Sequence, residues 1–275
     1  MHRPAFRGLL IVAAVLAVSS RSALAEGWVM TPDPYADHTY ARNQLLPRAE
    51  RGEARAQFDL GALYENGLGR REDDRQAVKW YRAAADQGYA DAQRALGVMY
   101  STGQGVRRNY SEALKWFHLA AAQGNAKAQL HLAAMYESGL GTAPNRAEAL
   151  LWYRTAAEQG DPYAQYNLGE MFDSGRVFQE DDHEALKWYR RAAEQGFAPA
   201  QYNLASMYRN GHIVAKDLVL ARMWYDLAAS SSHGDDAKTT PDNLASLNAM
   251  MTAAQIARAQ EMARRCVASR YSDCA

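Results

Sequence analysis

Residues 53–88 read EARAQFDLGALYENGLGRREDDRQAVKWYRAAADQG, and the frame they set returns without a gap 36 residues later. Ala-Gln recurs at Gln57, Gln93, Gln129, Gln165 and Gln201, and a leucine at Leu60, Leu96, Leu132, Leu168 and Leu204. Trp80, Trp116, Trp152, Trp188 and Trp224 keep the same step, as do Gly67, Gly103, Gly139, Gly175 and Gly211. Five repeats therefore fill residues 53–233, and a period of 20–50 residues marks an array of stacked supersecondary units.

Each repeat reads as two helices. Helix A of the first runs from Ala54 to Asn66, with Ala56, Leu60, Leu63 and Tyr64 on one face. Gly67 supplies the left-handed residue that commonly ends a helix. Helix B opens on an N-cap at Asp73, Asn109, Asn145, Asp181 or Asp217. Three residues on, Gln76, Glu112, Glu148 and Glu184 complete a capping-box pattern, whereas Leu220 leaves the fifth helix B more prone to fray. Small residues on helix A (Gly61, Gly97, Ala133, Gly169, Ala205) and alanine pairs late in helix B permit close packing. The tryptophan is expected to fill the space between hairpins, burying roughly 150–250 Å². No hairpin covers its own apolar face, so stability comes from stacking.

These residues resemble the Sel-one-like repeat, a relative of the tetratricopeptide repeat, over about two-thirds of the chain. Departures are local: Val177 and Ile213 replace the second turn glycine, and Phe172 replaces a tyrosine. The resemblance implies an all-α fold, a right-handed α/α solenoid of tetratricopeptide-like hairpins with terminal caps. It also implies a non-catalytic adaptor that holds protein partners. Some cysteine-rich relatives have been associated with β-lactam binding or hydrolysis.

The ends read differently. Arg3 and Arg7, the apolar run Gly8 to Val18 and Ala23-Leu24-Ala25 form a cleavable secretory signal over 1–25, too short to span a bilayer. Its removal leaves 28 Lys+Arg against 31 Asp+Glu, a net charge of about −3, which disfavours nucleic acid as a partner. Localisation is therefore read as periplasmic or secreted, without membrane insertion. Residues 26–52 form an arm, including Trp28 and Pro32 to Tyr35, and a capping helix from Tyr40 that Pro47 is expected to shorten or kink. Residues 234–275 carry a polar linker continuing from Ser230 to Pro241, then capping helices at Asp242–Met251 and from Thr252, with Thr252/Gln255 as a capping box. Cys266 and Cys274 suit a structural disulfide in an oxidising compartment, with a dimer-forming bridge the alternative; the chain is otherwise read as a monomer.

Catalytic patterns are missing from the sequence. The Gly67-Leu68-Gly69 turn and its copies lack the third glycine and preceding strand of a dinucleotide loop. No G-x-x-x-x-G-K-[ST], H-E-x-x-H, G-x-S-x-G or S-x-x-K occurs, and no histidine pair stands four residues apart for zinc. Asp181 and Asp182 are read as helix N-terminal acids. Neither cofactor nor metal is expected. The competing readings are a cell-wall or β-lactam-acting hydrolase and a glycan-binding protein.

A helical wheel turns Arg55, Phe58, Asp59, Ala62, Glu65 and Asn66 of helix A, and their equivalents, away from the apolar face. If helix A lines a concave side, those positions form a peptide- or protein-binding groove. Its expected residues are Phe58, Asp59, Arg94, Leu130, His131, Tyr166, Asn167, Glu170, Tyr202 and Asn203. His131 is read as an exposed polar residue. The repeated pairs Tyr166-Asn167 and Tyr202-Asn203 are read as binding residues, the tyrosine supplying contact area and the asparagine bonding a peptide backbone, whereas Phe58 either does the same or packs against the N-terminal cap.

Overall fold

The computed structural model describes residues 38–67, 73–174, 181–211, 213–231 and 236–274, with the side chains of 38–42 and 231–241 outside that description. The signal segment, the arm around Trp28 and the turn residues Gly69, Gly175 and Val177 lie outside it. The described residues form thirteen α-helices and no strand. A capping helix α1 (His38–Glu50) precedes five A/B pairs. These are α2 (Ala54–Glu65) with α3 (Asp74–Ala85), α4 (Ala90–Thr102) with α5 (Tyr110–Ala122), and α6 (Ala126–Ser138) with α7 (Arg146–Glu158). They continue as α8 (Pro162–Asp173) with α9 (Asp182–Ala193) and α10 (Ala198–Asn210) with α11 (Leu218–Ser231). The cap helices α12 (Asp236–Asn248) and α13 (Ala253–Ala268) follow. The chain divides into two compact units at a boundary inside α7, the first ending at Trp152 and the second beginning at Tyr153.

Three devices hold the frame. The residue after each tryptophan fills the core: Tyr81, Phe117, Tyr153 and Tyr189 are fully buried, whereas Trp80, Trp116 and Trp152 are only half-buried. This corrects the expectation that the tryptophans fill that space in every repeat; Trp188 and Trp224 alone are buried. The small residue on helix A exists for that ring. A Cβ at Gly61, Gly97 or Gly169 would sit 2.7 Å from Tyr81, Phe117 or Tyr189, closer than packed carbon atoms can approach.

The second device is the buried glutamine of each Ala-Gln. Its Nε2 donates to a helix-end carbonyl of the preceding B helix or cap: Gln57 to Ala49 (3.0 Å), Gln93 to Ala85, Gln129 to Ala121, Gln165 to Ala157 and Gln201 to Ala193. Each of these last-turn carbonyls also accepts the backbone N–H of the glycine three residues on (Gly52, Gly88, Gly124, Gly160 or Gly196), so the glutamine takes the second lone pair. The glutamine oxygen is satisfied from Gln87, Gln123 and Gln195, which donate to Gln57, Gln93 and Gln165 at 2.7–2.8 Å. Each donor stands 30 residues beyond its acceptor. At Gln201 the corresponding position is Ser231, and the Gln201 Oε1 has no partner.

The third device is the cap. Side chains of Asp73, Asn109, Asn145, Asp181 and Asp217 accept from the first turn of the following B helix. The expected reciprocal arm is not made in α3, α5 or α9. Glu148 and Glu184 accept instead from the indole Nε1 of Trp152 and Trp188, one turn on, at 3.1 Å. Thr252 and Gln255 make both arms of their box.

The ends carry two corrections. α1 runs through Pro47 to Glu50 rather than stopping, because Pro47 is exposed in the last turn, where its ring meets solvent and its lost bond is single. The stretch expected as a linker is mostly helical: α11 continues to Ser231 and α12 begins at Asp236, with Pro241 inside it. A polar segment lacking apolar periodicity still folds as helix when it prolongs a packed one. Cys266 and Cys274 are joined by a disulfide that closes the chain end back onto α13. The two residues inside that loop with positive φ, Arg270 and Tyr271, swing the Tyr271 ring against Gly196.

Candidate partner-binding faces

The A helices are buried almost all round. In α4 every residue from Ala92 to Met99 is buried, and in α6 every residue from Ala128 to Met135. B helices bury one stripe: Ala77, Val78, Tyr81, Ala84 and Ala85 in α3. The expected groove residues therefore sit deeper than a wheel places them, because each A helix is covered on more than one side.

In the N-terminal half, Phe58 is core. It is 7% exposed, with its ring 5.6 Å from Tyr81 and 5.4 Å from Tyr89. Asp59 is half-buried and held at 3.0 Å by Arg55; burial nevertheless raises its carboxyl pKa, outweighing that guanidinium. Leu130 is buried. Glu65, also buried, accepts the Tyr81 hydroxyl at 2.6 Å; burial, then Glu65, pushes the phenol pKa well up.

His131 is not an exposed polar residue. It is 3% exposed, stacked on Phe117 with centroids 4.8 Å apart, and its Nδ1 has no hydrogen-bond partner. Burial, reinforced by the positive charges of Arg94 and Lys127, lowers its pKa to about 3, so it is neutral at pH 7. Arg94 is 8% exposed, and its Nε likewise lacks a partner.

In the C-terminal half, Tyr166 is 3% exposed, packed on Tyr189 and Phe197 with centroids 5.7 and 5.5 Å away. Asn167 is buried with its Nδ2 unpaired. Glu170 accepts from the Tyr189 hydroxyl (2.6 Å) and from Asn203 Nδ2 (2.8 Å). The half-buried Tyr202 stacks edge-on against Tyr225, and its hydroxyl accepts from Asn243 of α12 at 2.7 Å. The pair Tyr166-Asn167 and Tyr202-Asn203 thus splits. The tyrosines serve packing, Asn203 serves Glu170, and Asn167 alone keeps an unused donor.

The sequence reading missed the glutamine network, although Gln87, Gln123, Gln159 and Gln195 repeat at the same step as the tryptophans. It also missed which polar groups the frame leaves unpaired, since that depends on neighbours from other repeats. Among the described residues no helix is long and apolar enough to cross a membrane.

A family model described as Sel1 repeat matches residues 54–89, 90–125, 126–161, 162–197 and 198–233. Among solved structures, the chain is similar to a Sel1 repeat protein from Oxalobacter formigenes. The two are 34% identical with a TM-score of 0.63, over 82% of this chain and 84% of that one. It is also similar to c5321, described as a protective antigen of uropathogenic Escherichia coli strains with an SLR fold. That pair is 30% identical with a TM-score of 0.54, over 94% of this chain but only 61% of that one. No curated protein matches the chain.

Proposed function

The chain belongs to the Sel1 repeat family, whose arrays are generally protein-interaction scaffolds, and from that premise we propose that it is an exported adaptor binding a protein or peptide through its A helices. One observation carries this reading. On those helices Arg94 Nε, His131 Nδ1 and Asn167 Nδ2 are buried without partners. The frame uses the Nε2 of all five repeat glutamines and the side chains of all five N-caps, and these three atoms take no part in it. Leaving a buried polar group unpaired costs about 1–3 kcal/mol, which a bound partner recovers.

Export rests on the basic, apolar and Ala-x-Ala segments of 1–25 and on a disulfide suited to an oxidising compartment. The full chain, expressed in a two-membrane bacterium, is expected in the periplasm or medium with Glu26 as its first residue. Recovery in the cytoplasm with residues 1–25 attached overturns export.

The binding reading is tested by affinity capture from an envelope extract. The baits are the wild-type chain and the triple variant Arg94→Gln, His131→Asn, Asn167→Leu, checked for folding by circular dichroism. A protein enriched by the first and lost from the second is expected. No difference between two folded baits overturns the assignment to these faces.

A further inference from the structure

We propose that Tyr163 and Phe197, at the starts of the A helices α8 and α10, form an aromatic corner that receives a basic, proline-rich segment of a protein partner. The inference rests on the adaptor reading and names the chemistry of the segment received.

Tyr163 breaks the rule of its layer. The A helices are buried almost all round, yet Tyr163 is 38% exposed, and among the described residues no other large apolar side chain on an A helix is exposed. Arg55, Asp91, Lys127 and Pro199 hold the same place in the other repeats, so the frame does not require a ring there. Phe197 departs in a second way. Asn125 and Asp161 cap their A helices with a side-chain hydrogen bond, whereas Phe197, at the same place before α10, makes none.

The corner is rooted in the core. Tyr163 stands edge-on to Phe197, with centroids 4.7 Å apart and planes at 64°. Phe197 leans on Tyr166 at 5.5 Å, and Tyr166 on the fully buried Tyr189 at 5.7 Å. The exposed ring therefore has little freedom left to lose on binding. The N-terminal half repeats the three inner rings as Tyr89, Phe58 and Tyr81, but its outer place holds Arg55, bound to Asp59 at 3.0 Å. The C-terminal half alone completes the corner.

Size and charge define the occupant. A stable protein interface buries roughly 1,200–2,000 Å², whereas a whole aromatic side chain contributes about 150–250 Å². One exposed ring beside a half-buried one therefore suits a short segment, not a second copy or a folded surface. A short segment holds so small a site best when it is already ordered, as polyproline II is. Two planes at 64° enclose a corner that a pyrrolidine ring fills, whereas a sugar stacks on a flat face. Glu158 ends α7 and Glu194 follows α9, each leading into one of the two turns. Both are exposed, and among the described residues neither has an ion-pair partner. Arg270, next to Tyr271 where that ring meets Gly196, pairs with neither. Two free carboxylates complement lysine or arginine in the segment.

Fluorescence anisotropy on the full chain at pH 7 tests the proposal. The probe is a fluorescein-labelled peptide of three Pro-Pro-Arg triplets; one control replaces every proline with alanine, the other every arginine with glutamate. Saturable binding of the probe is expected, with roughly tenfold weaker binding of each control and of the probe to Tyr163→Ala. Tyr163→Arg, the residue of the first repeat, is expected to give the same loss if Tyr163→Ala does not fold. The double variant Glu158→Gln, Glu194→Gln is expected to reduce the salt dependence of binding. No saturation up to about 0.5 mM chain overturns the proposal. So does equal binding of the alanine control, or full affinity in the folded Tyr163 variants. Calorimetric binding of chitotriose that Tyr163→Ala abolishes, with none of the probe, assigns the corner to glycans and overturns it too. A partner captured by wild type and lost from the triple variant, with no response to the probe, leaves the adaptor reading standing and removes this corner alone.

Discussion

The A and B helices of one repeat have almost the same length and opposite relations to solvent. In α4, eight consecutive residues from Ala92 to Met99 are buried; in α5, its partner in the hairpin, only the stripe through Ala113, Phe117, Ala120 and Ala121 is. A helix covered on one side displays its function on the other. A helix covered all round must satisfy its polar groups internally, and those it does not satisfy become informative. Gln93 belongs to the first kind and Arg94, its neighbour in sequence, to the second.

The sharpest way to break this contrast lies at the point where a B helix enters the A layer. Phe117→Ala empties a fully buried ring site and is expected to cost about 3–5 kcal/mol in denaturant unfolding. Trp116→Ala, at a half-buried ring next to it, should cost clearly less. An equal or greater loss at Trp116 would restore the tryptophan as the core residue.

Within the A layer, Gln93→Leu removes the donor to Ala85 and the acceptor for Gln123, and about 2–3 kcal/mol of destabilisation is expected. The same measurement at the exposed Lys115 of α5 should move stability by no more than about 0.5 kcal/mol.

Acid unfolding probes His131. Its folded pKa of about 3 lies below the ordinary 6.5, so the unfolded chain binds the extra proton. The stability it contributes is complete above pH 6.5 and is lost as pH falls toward 3, at up to about 1.4 kcal/mol per pH unit. His131→Asn, the residue found at 167 and 203, should therefore gain about 2–3 kcal/mol relative to wild type between pH 8 and pH 4.5. Parallel acid titrations would contradict the burial of that ring.

The smallest effect is constructive. Ser231→Gln supplies the donor missing at Gln201 Oε1 and is expected to stabilise the C-terminal half by about 1 kcal/mol, read as a raised unfolding midpoint.

Much of the frame was legible because it repeats. Five copies of one spacing identify the hairpins, their caps and the small residues that admit a ring, and Thr252 with Gln255 mark the last helix. The face was less legible. A helical wheel treats a helix as having one neighbour, so it placed His131 in solvent, where Phe117 in fact covers it. It likewise could not tell Asn203, engaged by Glu170, from Asn167, which is not. The choice of core aromatic failed for a related reason: Trp and the residue after it repeat equally well, and only the fit of Tyr81 against Gly61 distinguishes them.

The most direct test of the division between helices is an amide-exchange map of the full chain, alone and saturated with the protein captured by the wild-type bait. Slowed exchange confined to α2, α4, α6, α8 and α10, with the outer turns of α3, α5, α7, α9 and α11 unchanged, is the predicted result. Protection centred on the exposed Leu119 and Leu151 of α5 and α7, with the A helices unaltered, would contradict it.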